Sequence, residues 1–264
     1  MRLITLVAAF IFLAGCAPKQ PAPSSTVNCI TSAQLTAYSY DQLSRVSAGM
    51  RSDARTIEDF GRFIAVTKGT VNDYSNTIQS SAYLSNAVRY LPIPYAGEIS
   101  NVTKLVANSM IHLNAAGVAL DRYKKSNTAF LAAFDKLKRE SATPAELAKL
   151  SAYADTTVMS DARSLQSALQ KISSSTAMMA ATAQSFSNAL DSTGGYYNQA
   201  KSFVGFKPET TDKEKVTESR DSFNARLAQL NQKIASLENS ADAHSENIAK
   251  ARTYADLAMQ VEKQ

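Results

Sequence analysis

The chain has 264 residues, a formal charge of +5, 19% charged side chains and two cysteines. That length suits one or two domains. The basic residues are scattered rather than gathered in a tract, which argues against a nucleic-acid partner. Two cysteines exclude a disulfide-rich scaffold. Apolar residues make up 45% of the chain, much of it alanine, with no tryptophan, a mix that suits close-packed helices with thin seams.

Arg2 precedes an apolar run from Leu3 to Leu13 that is interrupted only by Thr5. The run falls short of the roughly 20 residues a membrane-crossing helix needs. A basic start, a short apolar region and small residues before a cut site mark an export signal. Leu13-Ala14-Gly15-Cys16 resembles the lipobox of bacterial lipoproteins, and the resemblance covers the first 16 residues alone. It implies a cleaved signal peptide at 1–15 and a membrane anchor through lipid on Cys16. Ala17 stands where an Asp would retain enterobacterial members in the inner membrane, so the resemblance implies the outer membrane of the cell envelope. The body would then face the periplasm or the cell exterior. The plainer alternative is an ordinary secretory signal with a chance cysteine.

Residues 16–30 form a tether. Pro18, Pro21 and Pro23 favour extended backbone, and about 3.1 Å per residue gives a reach of at most roughly 40 Å. With Cys16 lipidated, Cys29 lacks an intrachain partner and is either an unpaired thiol or a bridge between two copies.

From 31 onward apolar residues recur at alternating three- and four-residue steps, the mark of a one-sided helix seam. Helices are expected at about 31–91, 98–140, 144–193 and 212–262. The first seam runs from Val46 through Phe60 to Val88, weakened at Asp53, and Gly49 is a place for the helix to bend or divide. The second runs from Ile99 to Leu137, with Leu105, Met110 and Ile111 widening its apolar face. The third runs from Val158 to Leu190 and is expected to break at Gly194-Gly195, with Tyr196–Phe206 following as a short aromatic segment. The fourth runs from Phe223 to Ala258 and includes His244. Thr143 with Glu146, and Thr211 with Glu214, have the spacing of capping boxes. Pro92, Pro94, Pro144 and Pro208 all fall at proposed turns, where proline's missing amide does no harm. The expected fold over 31–264 is all-α, an elongated antiparallel coiled-coil four-helix bundle of up-down-up-down order. A three-helix core with an appendage is the alternative.

Chemistry-bearing patterns are sparse. His112 and His244 read as packing histidines, because no metal-ligand spacing accompanies them. No phosphate-binding glycine loop or nucleophile elbow occurs, so no cofactor, metal or catalytic residue is expected. Lys136, Lys138, Arg139 and Lys149 surround the second turn, either as a solvated helix end or facing anionic head groups. The first and third turns would bring Tyr90, Leu91, Ile93 and Tyr95 together with Tyr196, Tyr197, Phe203 and Phe206. This aromatic tip either contacts a partner or closes the end of the bundle.

The leading expectation is an anchored, non-enzymatic scaffold or accessory subunit, with an envelope protein as partner or self-association by helix pairing. A membrane-active helical protein, similar in general shape to the long-helix pore-forming haemolysins, is the alternative. An enzyme is the third possibility.

Overall fold

The computed structural model describes residues 30–87, 96–203 and 211–264, with side chains at 30–76, 104–182, 184, 185, 217, 218 and 220–264. Residues 31–264 form one unit, and the described residues contain helices and no strand. The elements are α1 (Ser32–Ser52), α2 (Ala54–Ala87), α3 (Ala96–Phe134), α4 (Pro144–Tyr153), a π-helical turn (Ala154–Val158), α5 (Met159–Phe203) and α6 (Thr211–Glu262). They make four helical arms packed against one another: α1–α2, α3, α4–π–α5 and α6.

Helix starts follow local chemistry. Thr143 accepts a hydrogen bond from the amide of Glu146, and the Glu146 side chain returns to the Thr143 amide, with Pro144 in the first turn. Thr31 and Gln34 close the same reciprocal box at the start of α1. Each cap satisfies amides that the first helical turn leaves unpaired, worth about 1 kcal/mol.

The seams are buried as their spacing requires. Phe60, Tyr74, Tyr123, Phe130, Phe223, Leu113, Leu147 and Leu165 are all under 2% exposed. Tyr74 of α2 meets Phe223 of α6 edge-on, with ring centroids 5.3 Å apart. At the other end of α6 the contacts involve smaller groups. Ser39 donates to the Ala251 carbonyl at 2.7 Å, and Ser32 to Glu262 at 2.9 Å. Ser173 of α5 donates to Asn231 of α6 at 2.7 Å, and Arg220 of α6 to Gln184 of α5 at 2.7 Å.

Several expected boundaries move. The first arm divides at Asp53, whose backbone has φ −71° and ψ −14°. The second helix ends at Phe134 rather than near 140, and the amide of Leu137 bonds back to the Phe134 carbonyl. Leu137 still packs on the core as part of the turn. The expected break at Gly194-Gly195 is absent, because α5 runs on to Phe203. Tyr196–Phe203 therefore continues that helix. A glycine costs a helix about 1 kcal/mol relative to alanine, which a 45-residue helix absorbs when no proline follows at once. Ile111 is 63% exposed, so it does not widen the core face, whereas Leu105 and Met110 do pack against the core. The last helix begins at Thr211 itself, and the side chains of the proposed Thr211–Glu214 box lie outside the described residues.

The third arm contains a feature absent from the expected scheme, the π turn at Ala154–Val158. Leu150, Ala154, Val158 and Ala162 are all buried, which makes three consecutive four-residue steps. On an α-helix those steps rotate the stripe by about 120°, since each residue turns about 100°. A π turn, closed by i→i+5 bonds, takes up the extra residue and returns the stripe to the core.

Polar atoms also enter the core. The hydroxyls of Thr67, Ser109 and Thr176 are buried and have no hydrogen-bond partner among the described residues.

Truncating a fully buried ring should cost far more than trimming the exposed apolar side chain of α3. Phe60→Ala is expected to lose about 3–5 kcal/mol, and Ile111→Ala less than about 0.5 kcal/mol, both read by chemical denaturation. Thr67→Val keeps the shape and removes an unpaired hydroxyl. It should raise stability by about 1–3 kcal/mol, seen as a higher denaturation midpoint with an unchanged slope.

Candidate functional site

Of the residues singled out from the sequence, Cys16, Cys29, Tyr90, Leu91, Ile93, Tyr95 and Phe206 lie outside the described residues. Tyr196, Tyr197 and Phe203 stand on the α5 backbone, with side chains outside those described. The aromatic tip therefore has no described geometry. In the basic group near the second turn, Arg139 is engaged by Asp41 of α1 through two hydrogen bonds of 3.0 and 2.8 Å.

The most developed polar cluster forms where the first arm bends. Asp53 sits between α1 and α2 and meets Ser240 and His244, which are one turn apart on α6. Ser240 Oγ donates to Asp53 Oδ2. His244 Nε2 lies 3.0 Å from the same carboxylate oxygen and 3.1 Å from Ser240 Oγ. A carboxylate only accepts, so His244 presents an N–H from Nε2. His244 is 5% exposed and fills the space beside Gly49, where any Cβ would lie 2.3 Å from its Cε1. Only glycine at 49 admits the ring.

Burial works to raise the Asp53 pKa, but hydrogen bonds from His244 and Ser240 and the charge interaction with His244 outweigh it, so the value is lowered. Tyr123 of α3 feels the same carboxylate: burial first, then Asp53, pushes its phenol well above the ordinary range.

Ser, His and Asp together suggest nucleophilic catalysis, but the arrangement differs from a relay. In a relay the base takes the serine proton on one ring nitrogen while the carboxylate holds the other. Here the hydroxyl and the carboxylate converge on a single nitrogen that already carries a proton, and the serine proton points at the aspartate. The cluster can hold a bend and fix a helix register. It cannot activate Ser240 in this geometry.

His112 has a different setting. Ser175 donates its hydroxyl proton to the Lys171 carbonyl at 2.9 Å, so the 2.6 Å contact with His112 is donated by His112 Nδ1.

Three surface grooves accompany these clusters. One of about 600 Å³ between α2 and α6 is bordered by Arg62, Arg226 and Lys233, with Asp59 among them. A second, of about 500 Å³, lies between α3 and α5 and includes His112, Arg163 and Lys171. A third, of about 320 Å³, lies between α5 and α6 and contains Glu238 and Asp242.

Sequence reasoning placed Asp53 and His244 on seams but did not bring them together. The available signal was that each is a polar position inside an otherwise apolar stripe. No protein-family model matches the sequence, and no curated protein and no solved structure matches it either.

Asp53 is ionised and bonded in the folded chain, so its lowered pKa stabilises the fold above the unfolded value of about 3.9. That contribution is lost as pH falls through the lower folded value. Asp53→Asn should therefore cost about 1–3 kcal/mol at pH 7, and its deficit relative to the unsubstituted chain should shrink as pH falls below about 4. Denaturant unfolding across that range measures it.

Proposed function

We propose that the chain is an envelope lipoprotein, held to a membrane by lipid on Cys16, with its body acting as a non-enzymatic structural, scaffold or accessory subunit. The observation that carries this reading is Leu13-Ala14-Gly15-Cys16 at the end of a short apolar run, followed by a proline-rich tether. Even two lipid signals are enough for stable anchoring. Ala17 favours the outer membrane, with the body in the periplasm or at the cell surface.

The body is proposed to be an elongated antiparallel four-helix bundle with up-down-up-down order. In support, contact partners rise along one arm as they fall along its neighbour. Ser39, Asp59 and Tyr74 meet Ala251, Lys233 and Phe223 of α6. Gln166, Ser173 and Gln184 meet Glu238, Asn231 and Arg220. The 52 residues of α6 would span about 78 Å at 1.5 Å per residue. Such a body suits a spacer that carries contacts away from its anchor. An envelope protein seated on the aromatic tip, or a second copy paired along the helices, is the expected partner.

A non-catalytic role also fits the polar cluster, whose groups are turned toward holding a bend rather than activating Ser240.

Cys16→Ser should abolish incorporation of labelled fatty acid and release the chain from the membrane fraction of cells. A Cys16→Ser chain that still sediments with membranes would sink the anchor. Adducts from photo-crosslinkers at Tyr95 and Phe206, absent from a crosslinker at exposed Val66, would identify the tip as the partner contact.

A further inference from the structure

The three grooves differ in how their charges are balanced. In the α2/α6 groove Asp59 sits between Arg62 and Lys233 and pairs with both, and those contacts hold its carboxyl below the usual range. The α5/α6 groove carries Glu238 and Asp242. The α3/α5 groove is bordered by Arg163, Lys171 and His112, together with Ser160, Ser164 and Ser167, and no carboxylate lines it. Alanines 115, 119 and 168 complete its wall, so its backbone is approachable. Arg163 also borders the α5/α6 groove, yet it pairs with neither Glu238 nor Asp242. Some arginines elsewhere have acidic partners, Arg51 with Asp135, Arg139 with Asp41, Arg220 with Asp221 and Arg252 with Asp256, whereas Arg45, Arg55, Arg122 and Arg226, like Arg163, have none among the described residues.

We propose that the α3/α5 groove binds a phosphate-bearing anion with at least two charged groups, held by Arg163 and Lys171 and by the hydroxyls of Ser160 and Ser167, the Ser164 hydroxyl being committed to the Ser160 carbonyl. Arg163, Ser167 and Lys171 follow one another at four-residue steps and so share a face of α5. The two cations are about 12 Å apart along the axis, which is why one isolated phosphate would engage only one of them. An arginine fork grips a phosphate through paired N–H groups, and lysine adds a mobile point charge. The serines supply short, neutral donors between them. His112 borders the groove from α3 with its Nδ1 committed to Ser175, and Nε2 of the neutral ring is an acceptor that offers the anion no hydrogen bond. The ligand's phosphates belong either to a soluble oligophosphate or to lipid head groups.

Inorganic tripolyphosphate and bicelles containing phosphatidylglycerol are the two probes, titrated at low salt into the full chain purified in detergent and followed by amide NMR. Saturable shifts confined to residues 112–119 and 160–175 are expected with at least one probe, and the responding probe names the source. Arg163→Gln/Lys171→Gln should weaken binding at least tenfold with an unchanged far-ultraviolet spectrum. Arg62→Gln/Lys233→Gln, in the neutralised groove, should leave it intact. No saturable response to either probe overturns the proposal, as does equal weakening by both pairs, which would mean general attraction to a basic surface.

Discussion

α6 offers one narrow stripe to the α1–α2 arm and to the α4–π–α5 arm, and both have to register against it. At one end the stripe consists of Phe223, Leu230, Ile234 and Leu237, and at the other of Ala251, Ala255 and Ala258, all buried. The change in size sets how close the backbones come. Ser39 reaches the Ala251 carbonyl only because both residues are small, so α1 and α6 approach closely there. Phe130, Phe134 and Leu147 belong to the same buried core. At the opposite end the contact is made by large rings, Tyr74 and Phe223 packing edge-on. A stripe this thin leaves little tolerance for error in rotation. A helix turned by one residue would present polar side chains to the seam.

Two departures from regular α-helix correct the rotation where it would otherwise drift. One is the bend at Asp53 between α1 and α2, and the other is the π turn before α5. Both face the same stretch of α6. Asp53 is bonded to Ser240 and His244, while Gln166 just beyond the π turn is bonded to Glu238. The bend is fixed by charge and hydrogen bonds within an otherwise apolar interior, where an unpaired group would be costly. The π turn is held on the core by the buried side chains of Ala154 and Val158. One irregularity is thus electrostatic and the other steric, and together they reset two arms against a third.

Much of this was legible in the sequence because burial on a helix leaves a period. The stripe from Val46 to Tyr74 and that from Phe223 to Ala258 were visible as spacing. Thr143-Pro144-Ala145-Glu146 announced its helix start, and Thr31 with Gln34 spelled the same signal less conspicuously. The π turn left a mark too, in the three successive four-residue steps from Leu150 to Ala162, but a seam search tolerant of both steps passes over it. Gly194-Gly195 misled because glycine is an intrinsic cost rather than a stop. A helix end also needs a left-handed residue or a competing cap. Asp53 and His244 were each visible as a flaw in a stripe. Their partnership depends on a register between segments nearly two hundred residues apart, and local pattern carries no record of it. The charge balance of the grooves was hidden for the same reason, since it is set by which helices become neighbours.

The position of α6 in the chain has a consequence for how the molecule is made. α1, α2, α4 and α5 all pack against it, and Ser32 at the start of the unit bonds to Glu262 near its end. Translation delivers that helix after all the segments that pack on it. Until it has left the ribosome, earlier segments carry apolar stripes with their main partner missing, and the closing contacts join residues more than two hundred positions apart. Long loops of this kind slow folding, because chain entropy is lost before the contacts repay it. The segments from α1 to α5 therefore stay open until α6 is synthesised, exposed to chaperones throughout. The order of the helices alone keeps the earlier arms incomplete until α6 is in place.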